Sequence, residues 1–138
     1  MPELLAALLS FAAAWLLGSI PGAQLSARLA GRDIFRTGSG NMGTMNALRN
    51  LGPLFGVLTF VIDVVKGSAA ALLAPLLAGL VAPDSPAAVS WALAAAAPAA
   101  GAGHMFSVFT GFRGGKALAV AFGFLLPHFW PVALARSA

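Results

Sequence analysis

The sequence predicts an all-α polytopic membrane protein, and three observations carry that expectation. Hydrophobic residues make up 59% of the chain and charged residues only 9%, where a soluble domain carries about 25% charged residues. Stretches free of charge run over 4–27, 67–83, 85–112 (with one His) and 117–135, and a bilayer crossing needs roughly 17–25 mostly apolar residues. Six of the eight basic residues fall in or beside the two loops over 31–50 and 111–116. The expected arrangement is one integral-membrane domain over 1–138, with about four transmembrane helices at 4–27, 51–77, 86–110 and 117–135 and two glycine-rich cytoplasmic loops.

The first span should bend near its inner end at Pro21-Gly22. Its leading Met1-Pro2-Glu3 has no basic n-region and arginines follow the apolar run, so it reads as a retained helix rather than a cleaved signal. Residues 31–50 form a polar loop with a short helix near 44–51. Gly52-Pro53 then breaks the chain, and Pro suits the first turn of the second span. Pro83-Asp84-Ser85-Pro86 is a turn of strong breaker character. The third span holds the Ala-rich run Trp91–Gly103, whose small residues permit close helix contact, and Pro98 is expected to kink it. Gly111–Lys116 is a tight loop, and the fourth span begins near Ala117.

The net charge of +4 is unevenly placed. Arg28, Arg32, Arg36 and Arg49 lie between the first two spans, and Arg113 and Lys116 between the last two; the intervening turn holds only Asp84. The positive-inside rule puts both basic loops in the cytoplasm and the N-terminus outside, with Arg136 alone on the wrong side. Such a chain has no soluble face on which to present its cations to nucleic acid. It contains no cysteine, hence no disulfide framework or thiolate nucleophile, and no metal-binding set is visible.

Two glycine-rich cationic segments carry the chemistry. The first is Gly38-Ser39-Gly40-Asn41-Met42-Gly43-Thr44-Met45-Asn46, ending at Arg49; the second is Gly111-Phe112-Arg113-Gly114-Gly115-Lys116. Glycines let backbone amides turn toward an anion while Arg or Lys supplies countercharge. Irregular backbone at membrane depth must be buried in protein or face a watery cavity, so the pair points to a phosphate held at the cytoplasmic edge. The first segment matches G-x-G-x-x-G, but it follows an Arg-rich loop rather than a buried strand, which removes a dinucleotide fold. The second fails as a P-loop because Thr110 stands where Gly is needed and Ala117 where Ser or Thr is needed. Asp63 and Lys66, at i and i+3, share one helical face inside a span; they either neutralise one another or help shape the polar site. His104 reads equally as a structural hydrogen-bonder or a participant in the site.

Taken together these segments resemble the bacterial acyl-phosphate:glycerol-3-phosphate acyltransferases of the PlsY type. The resemblance rests on Gly18-Ser19-Ile20-Pro21, on Gly38-Ser39-Gly40-Asn41-x-Gly43-x-x-Asn46 with Arg49 and Leu51-Gly52, on Asp63-x-x-Lys66-Gly67, and on Gly103-His104-x-Phe106-x-Val108-Phe109-x-x-Phe112-Arg113-Gly114-Gly115-Lys116, in order and spacing. It implies an inner-membrane enzyme of phospholipid synthesis that moves a fatty acyl group from acyl phosphate to the 1-hydroxyl of sn-glycerol 3-phosphate, giving lysophosphatidate and phosphate. Acyl phosphate is already activated, so no cofactor and no covalent nucleophile is required, only positioning, neutralised charge and excluded water. Lys116 suits a point-charge phosphate contact and Arg49 a bidentate one. Ser39 and the amides around Gly38, Gly40, Asn41 and Gly43, together with Asn46, are expected to hold one phosphate; Gly114 and Gly115 let the donor approach the backbone. Either His104 or a donor phosphate oxygen takes the hydroxyl proton, with Asp63 and Lys66 in support. Membrane lipids are expected neighbours, and a homodimer or a completing chain an expected partner.

Two departures from the family pattern stand out. A hydroxyl residue is usual immediately before Asn46, and this chain has Met45. The family also carries further spans and a later signature with His and Asn beside Arg, so a four-span version ending at Ala138 is expected to turn over weakly when alone. The rival readings are a truncated, non-catalytic homologue that binds phosphate or lipid, and a small anion transporter. The latter calls for inverted repeats, which the sequence does not show.

Overall fold

The computed structural model describes residues 1–137, and every regular element in them is helical. The helices are α1 (Pro2–Gly18), α2 (Gly22–Leu29), α3 (Thr44–Asn50), α4 (Pro53–Val81), α5 (Pro86–Met105) and α6 (Leu118–Ser137), with single 3-10 turns at Ile34–Arg36 and Val108–Thr110. The expected bend in the first span is a full break: α1 ends at Gly18, and Ser19-Ile20-Pro21 leave the helix before α2 resumes. The short loop helix appears as α3, and the second span starts at Pro53 and extends to Val81 rather than ending near 77. The third span is helical only to Met105 and reaches Thr110 through a 3-10 turn. It stays helical through Pro98. Its start is defined by Ser85, whose Oγ accepts a hydrogen bond from the Ala88 amide at 3.2 Å, with Pro86 in the first turn.

Three helical stretches, Pro2–Leu29, Pro53–Val81 and Pro86–Thr110, are long and apolar enough to cross a bilayer, and Leu118–Phe129 is a shorter apolar one. The distribution of residue sizes makes the same point independently. The buried faces are built from small residues: Ala6, Ser10, Ala14 and Gly18 at four-residue spacing on α1, and Ala88, Ala92, Ala96, Ala100 and Gly103 on α5. The bulky side chains point away from the protein, with Leu8 58%, Leu76 65%, Leu80 81% and Trp91 61% exposed. In water that arrangement would forgo most of the hydrophobic stabilisation available to a Leu or Trp. In lipid it costs nothing, because acyl chains solvate the bulky groups and small residues allow tight helix contact.

α4 is the hub and touches all five other helices, while α1 lies along α5 and α6 along α4. Two backbone crossings set the geometry. A Cβ on Gly18 would sit 2.1 Å from the Ala100 carbonyl, and one on Gly103 2.1 Å from that of Trp15, so α1 and α5 meet backbone to backbone. α4 and α6 meet likewise, a Cβ on Gly67 falling 2.2 Å from the Val120 carbonyl and one on Gly123 2.1 Å from that of Val64. The Ser68 hydroxyl donates to the Gly123 carbonyl at 2.7 Å beside this second crossing. An interhelical hydrogen bond in a membrane averages only about 0.6 kcal/mol, so the packing of the crossings, not their polar contacts, holds the bundle.

Candidate active site

The break in the first span is the structural origin of the site. Leaving the helix at Ser19-Ile20-Pro21 frees carbonyls that a continuous helix would use internally. The Ser19 carbonyl accepts from the Ser107 hydroxyl at 2.5 Å, and the Ser19 hydroxyl donates to the Trp15 and Gly103 carbonyls at 2.8 and 3.3 Å. The Ile20 carbonyl accepts from the Lys66 ammonium at 2.7 Å. On the other side of the break Asp63 Oδ1 lies against Gly22, the first residue of α2, where a Cβ would be 2.9 Å from it. The positive end of a helix favours a carboxylate there. The broken helix thus offers an acceptor to the ammonium and a helix N-terminus to the carboxylate.

Asp63 and Lys66 are 2% and 3% exposed, and their charged atoms, Oδ1 and Nζ, are 2.8 Å apart. His104, equally buried, brings Nδ1 to 2.9 Å from Lys66 Nζ and 3.6 Å from Asp63 Oδ1. Mutual neutralisation and shaping of the site, which the sequence leaves as alternatives for the Asp63–Lys66 pair, coincide in one cluster. The sequence also does not reveal that His104, thirty-eight residues beyond Lys66, completes it.

The first glycine segment is a loop held from within by Asn46. Its side-chain amide donates to the Thr37 and Asn41 carbonyls at 3.0 and 2.9 Å, and its Oδ1 accepts from the Ser39 amide at 3.2 Å and from Asn50 Nδ2 at 2.9 Å. Gly38, at φ +57, passes so close to these amides that a Cβ would fall 2.1 Å from Asn50 Nδ2. The second segment turns back onto α5: the Gly115 amide donates to the His104 carbonyl at 3.2 Å, and Gly114 packs against the carbonyls of His104 and Met105. Arg113 of the second segment places its guanidinium 4.0 Å from the centre of the Phe35 ring, in the 3-10 turn that precedes the first segment, a cation–π contact.

Between these loops and α4 and α6 lies a cavity of about 670 Å³, within the range of small-molecule sites. Its polar lining includes Ser39, Asn41, Asn46, Arg49, Asp63, His104 and Lys116. Its apolar lining includes Met45, Phe60, Leu118 and Phe122. Gly43 and the first turn of α6 also contribute. The structure therefore gathers Ser39, Asn41, Gly43, Asn46, Arg49, His104 and Lys116 around one space, although they are distributed over two distant segments. Gly38, Gly40, Gly114 and Gly115 stand outside the wall and shape the loops, and Lys66 sits behind His104. Sequence reasoning passed over Thr44: next to Met45, it lines the cavity with a hydroxyl that is buried and has no partner. A hydroxyl is thus present one position away from where the family pattern would put it.

The fold and site define an apolar helical bundle whose buried charges lie beside a cavity of mixed polar and apolar lining. Comparison with known proteins gives the family. A family model described as glycerol-3-phosphate acyltransferase matches residues 8–138, and the chain belongs to that family. It is similar to the glycerol-3-phosphate acyltransferase of Parasynechococcus marenigrum, 43% identical over 98% of this chain and 60% of that protein. The same description is carried by a relative from Nitrobacter winogradskyi, 43% identical over 95% of this chain and 62% of its own length. Among solved structures it is similar to PlsY (YgiH), an integral membrane glycerol 3-phosphate acyltransferase, in its glycerol 3-phosphate form: TM-score 0.72, 40% identity, covering 93% of this chain and 60% of that one. The lysophosphatidic acid form gives TM-score 0.69 and 39% identity over 93% and 59%. The chain thus spans about 60% of the length of the relatives it matches.

Proposed function

We propose that the chain serves acyl transfer from acyl phosphate to the 1-hydroxyl of sn-glycerol 3-phosphate, forming lysophosphatidate at the cytoplasmic edge of a bacterial inner membrane. The observation that carries this reading is one cavity lined both by the cations Arg49 and Lys116 and by the apolar Met45, Phe60, Leu118 and Phe122. That is the demand set by a substrate with a phosphate at one end and an acyl chain at the other. In this arrangement Lys116 and Arg49 neutralise the phosphates, and Ser39 with the amides of the 38–43 loop orients one of them. Gly114 and Gly115 let the donor lie close to the backbone, and Phe60, Leu118 and Phe122 accept the proximal acyl chain. The acceptor hydroxyl oxygen attacks the acyl carbon, the bond from that carbon to the phosphate oxygen breaks, and inorganic phosphate leaves. The departing phosphate has free lone pairs in the same cavity and takes up the hydroxyl proton.

Four spans, an outside N-terminus and both glycine-rich loops in the cytoplasm complete the proposal, as does a single membrane domain over 1–138. Cytosolic glycerol 3-phosphate then meets Arg49 and Lys116, and the donor arrives from the lipid. A second copy or a completing chain is the expected partner. The deciding experiment incubates the purified chain in lipid nanodiscs with glycerol 3-phosphate and either acyl phosphate or acyl-CoA. Lysophosphatidate from acyl phosphate alone is expected. Phosphate or lipid binding without any product would instead mark a non-catalytic binding protein, and product from acyl-CoA alone would overturn the donor assignment.

A further inference from the structure

The buried Asp63–Lys66–His104 cluster reaches the cavity through Asp63 and His104, and its geometry constrains what the histidine ring does. Lys66 Nζ has hydrogens and no lone pair. Two of its contacts are the Ile20 carbonyl at 2.7 Å and the Asp63 carboxylate at 2.8 Å; the third is His104 Nδ1 at 2.9 Å. A ring nitrogen facing an ammonium at that distance must be the acceptor, which leaves the imidazole proton on Nε2. Nε2 lies on the opposite edge of the ring, beside Gly115, where a Cβ would fall 2.5 Å from it. Gly115 precedes Lys116, and His104 and Lys116 both line the cavity. The Nε2 proton is therefore on the ring edge toward the Gly115-Lys116 segment, while the basic lone pair of the ring is turned toward Lys66.

We infer that Lys66, anchored by Asp63 and the Ile20 carbonyl, is a positioning residue that locks His104 as an Nε2–H hydrogen-bond donor to a bound phosphate oxygen, so that His104 is not the base of the reaction. This deepens the acyltransferase reading and rests on it for the identity of the anion. The lock itself stands on the distances within the cluster.

Because the chain has only two histidines, a ¹⁵N-histidine-labelled His128→Gln protein in detergent micelles reports His104 alone. The expected spectrum has an unprotonated Nδ1 and a protonated Nε2. Inorganic phosphate should move the Nε2–H signals and leave Nδ1 nearly unchanged. The Asp63→Asn/Lys66→Met double variant removes both charges together, and in it the two tautomers should mix, with helicity by circular dichroism retained. A protonated Nδ1 in the otherwise native chain overturns the lock, whether or not the double variant folds. A folded double variant with an unaltered tautomer overturns the role of Lys66, and an Nε2–H indifferent to phosphate overturns the role as donor. A failed acyl-transfer assay alongside the expected spectra would remove the enzyme reading and leave the tautomer lock in place.

Discussion

Lys116 and Arg49 are exposed residues that line the cavity, so on the proposed function their contribution is to the substrate phosphate and not to the bundle. A hydrogen bond to a charged group contributes about 1.5–3 kcal/mol. Lys116→Ala and Arg49→Ala are therefore expected to lower acyl transfer about tenfold to a few hundredfold, with unchanged helicity and thermal midpoint; unchanged turnover in both variants would take them out of the site. Asn46 is the opposite case. It is buried, and its amide is committed to the Thr37 and Asn41 carbonyls and to the Ser39 amide. Asn46→Ala leaves those groups without partners at about 1–3 kcal/mol for each that stays buried. Hydrogen exchange should accelerate across residues 37–43 while α4 and α5 remain protected. Motif spacing brings Asn46, Arg49 and Lys116 to notice together, yet it does not separate exposed cations that line the cavity from an amide that holds the loop, because that difference lies in burial and hydrogen-bond partners.

The elements themselves were largely legible from charge-free runs and breaker residues: α3, the Gly52-Pro53 start of α4 and the tight loop before α6 appear where the sequence places them. What was not legible is the tertiary use of a small defect. Pro21 announces a bend, but nothing in its neighbourhood says that the freed Ile20 carbonyl will meet Lys66, forty-six residues on. The glycines at helix crossings are similarly silent, since Gly67 and Gly123 read as ordinary small residues until α4 and α6 are seen to touch there. Gly67→Ala should expose that contact. Its Cβ would lie 2.2 Å from the Val120 carbonyl, and both atoms belong to stiff backbone. Overpacking of this kind costs about 1–3 kcal/mol, so a lowered unfolding midpoint in detergent is expected, whereas the same change at Gly79, which has open space around it, should leave the midpoint where it was.

For the whole molecule the governing quantity is orientation. Six of the eight basic residues fall in or beside the two glycine-rich loops, and the topology proposed above on the positive-inside rule puts those loops in the cytoplasm. The chain has no native cysteine, so single-cysteine labelling is unambiguous. Arg36→Cys and Arg113→Cys sit at exposed positions of the two loops and should react with a membrane-impermeant maleimide only when the cytoplasmic face is accessible. Labelling of either from the periplasmic side in intact cells would reverse the topology and cut the cavity off from cytosolic glycerol 3-phosphate.

The interrupted first span also has a bearing on biogenesis. An ammonium entering the hydrocarbon layer without a partner is unfavourable by about 2.5–3.5 kcal/mol on insertion scales, enough to divert a helix from the translocon. Lys66 carries one partner with it, Asp63 on the same helix at 2.8 Å, and its other acceptor, the Ile20 carbonyl, belongs to a segment that precedes α4 in the chain. If α1 and α2 insert first, they would serve as a template for the charged helix that follows. A permuted gene encoding α1 and α2 after α6 would deprive α4 of that template at the moment of insertion. It should yield less membrane-integrated protein than the natural order, an outcome readable by alkaline extraction of pulse-labelled membranes; equal integration of the two would show that α4 inserts unaided.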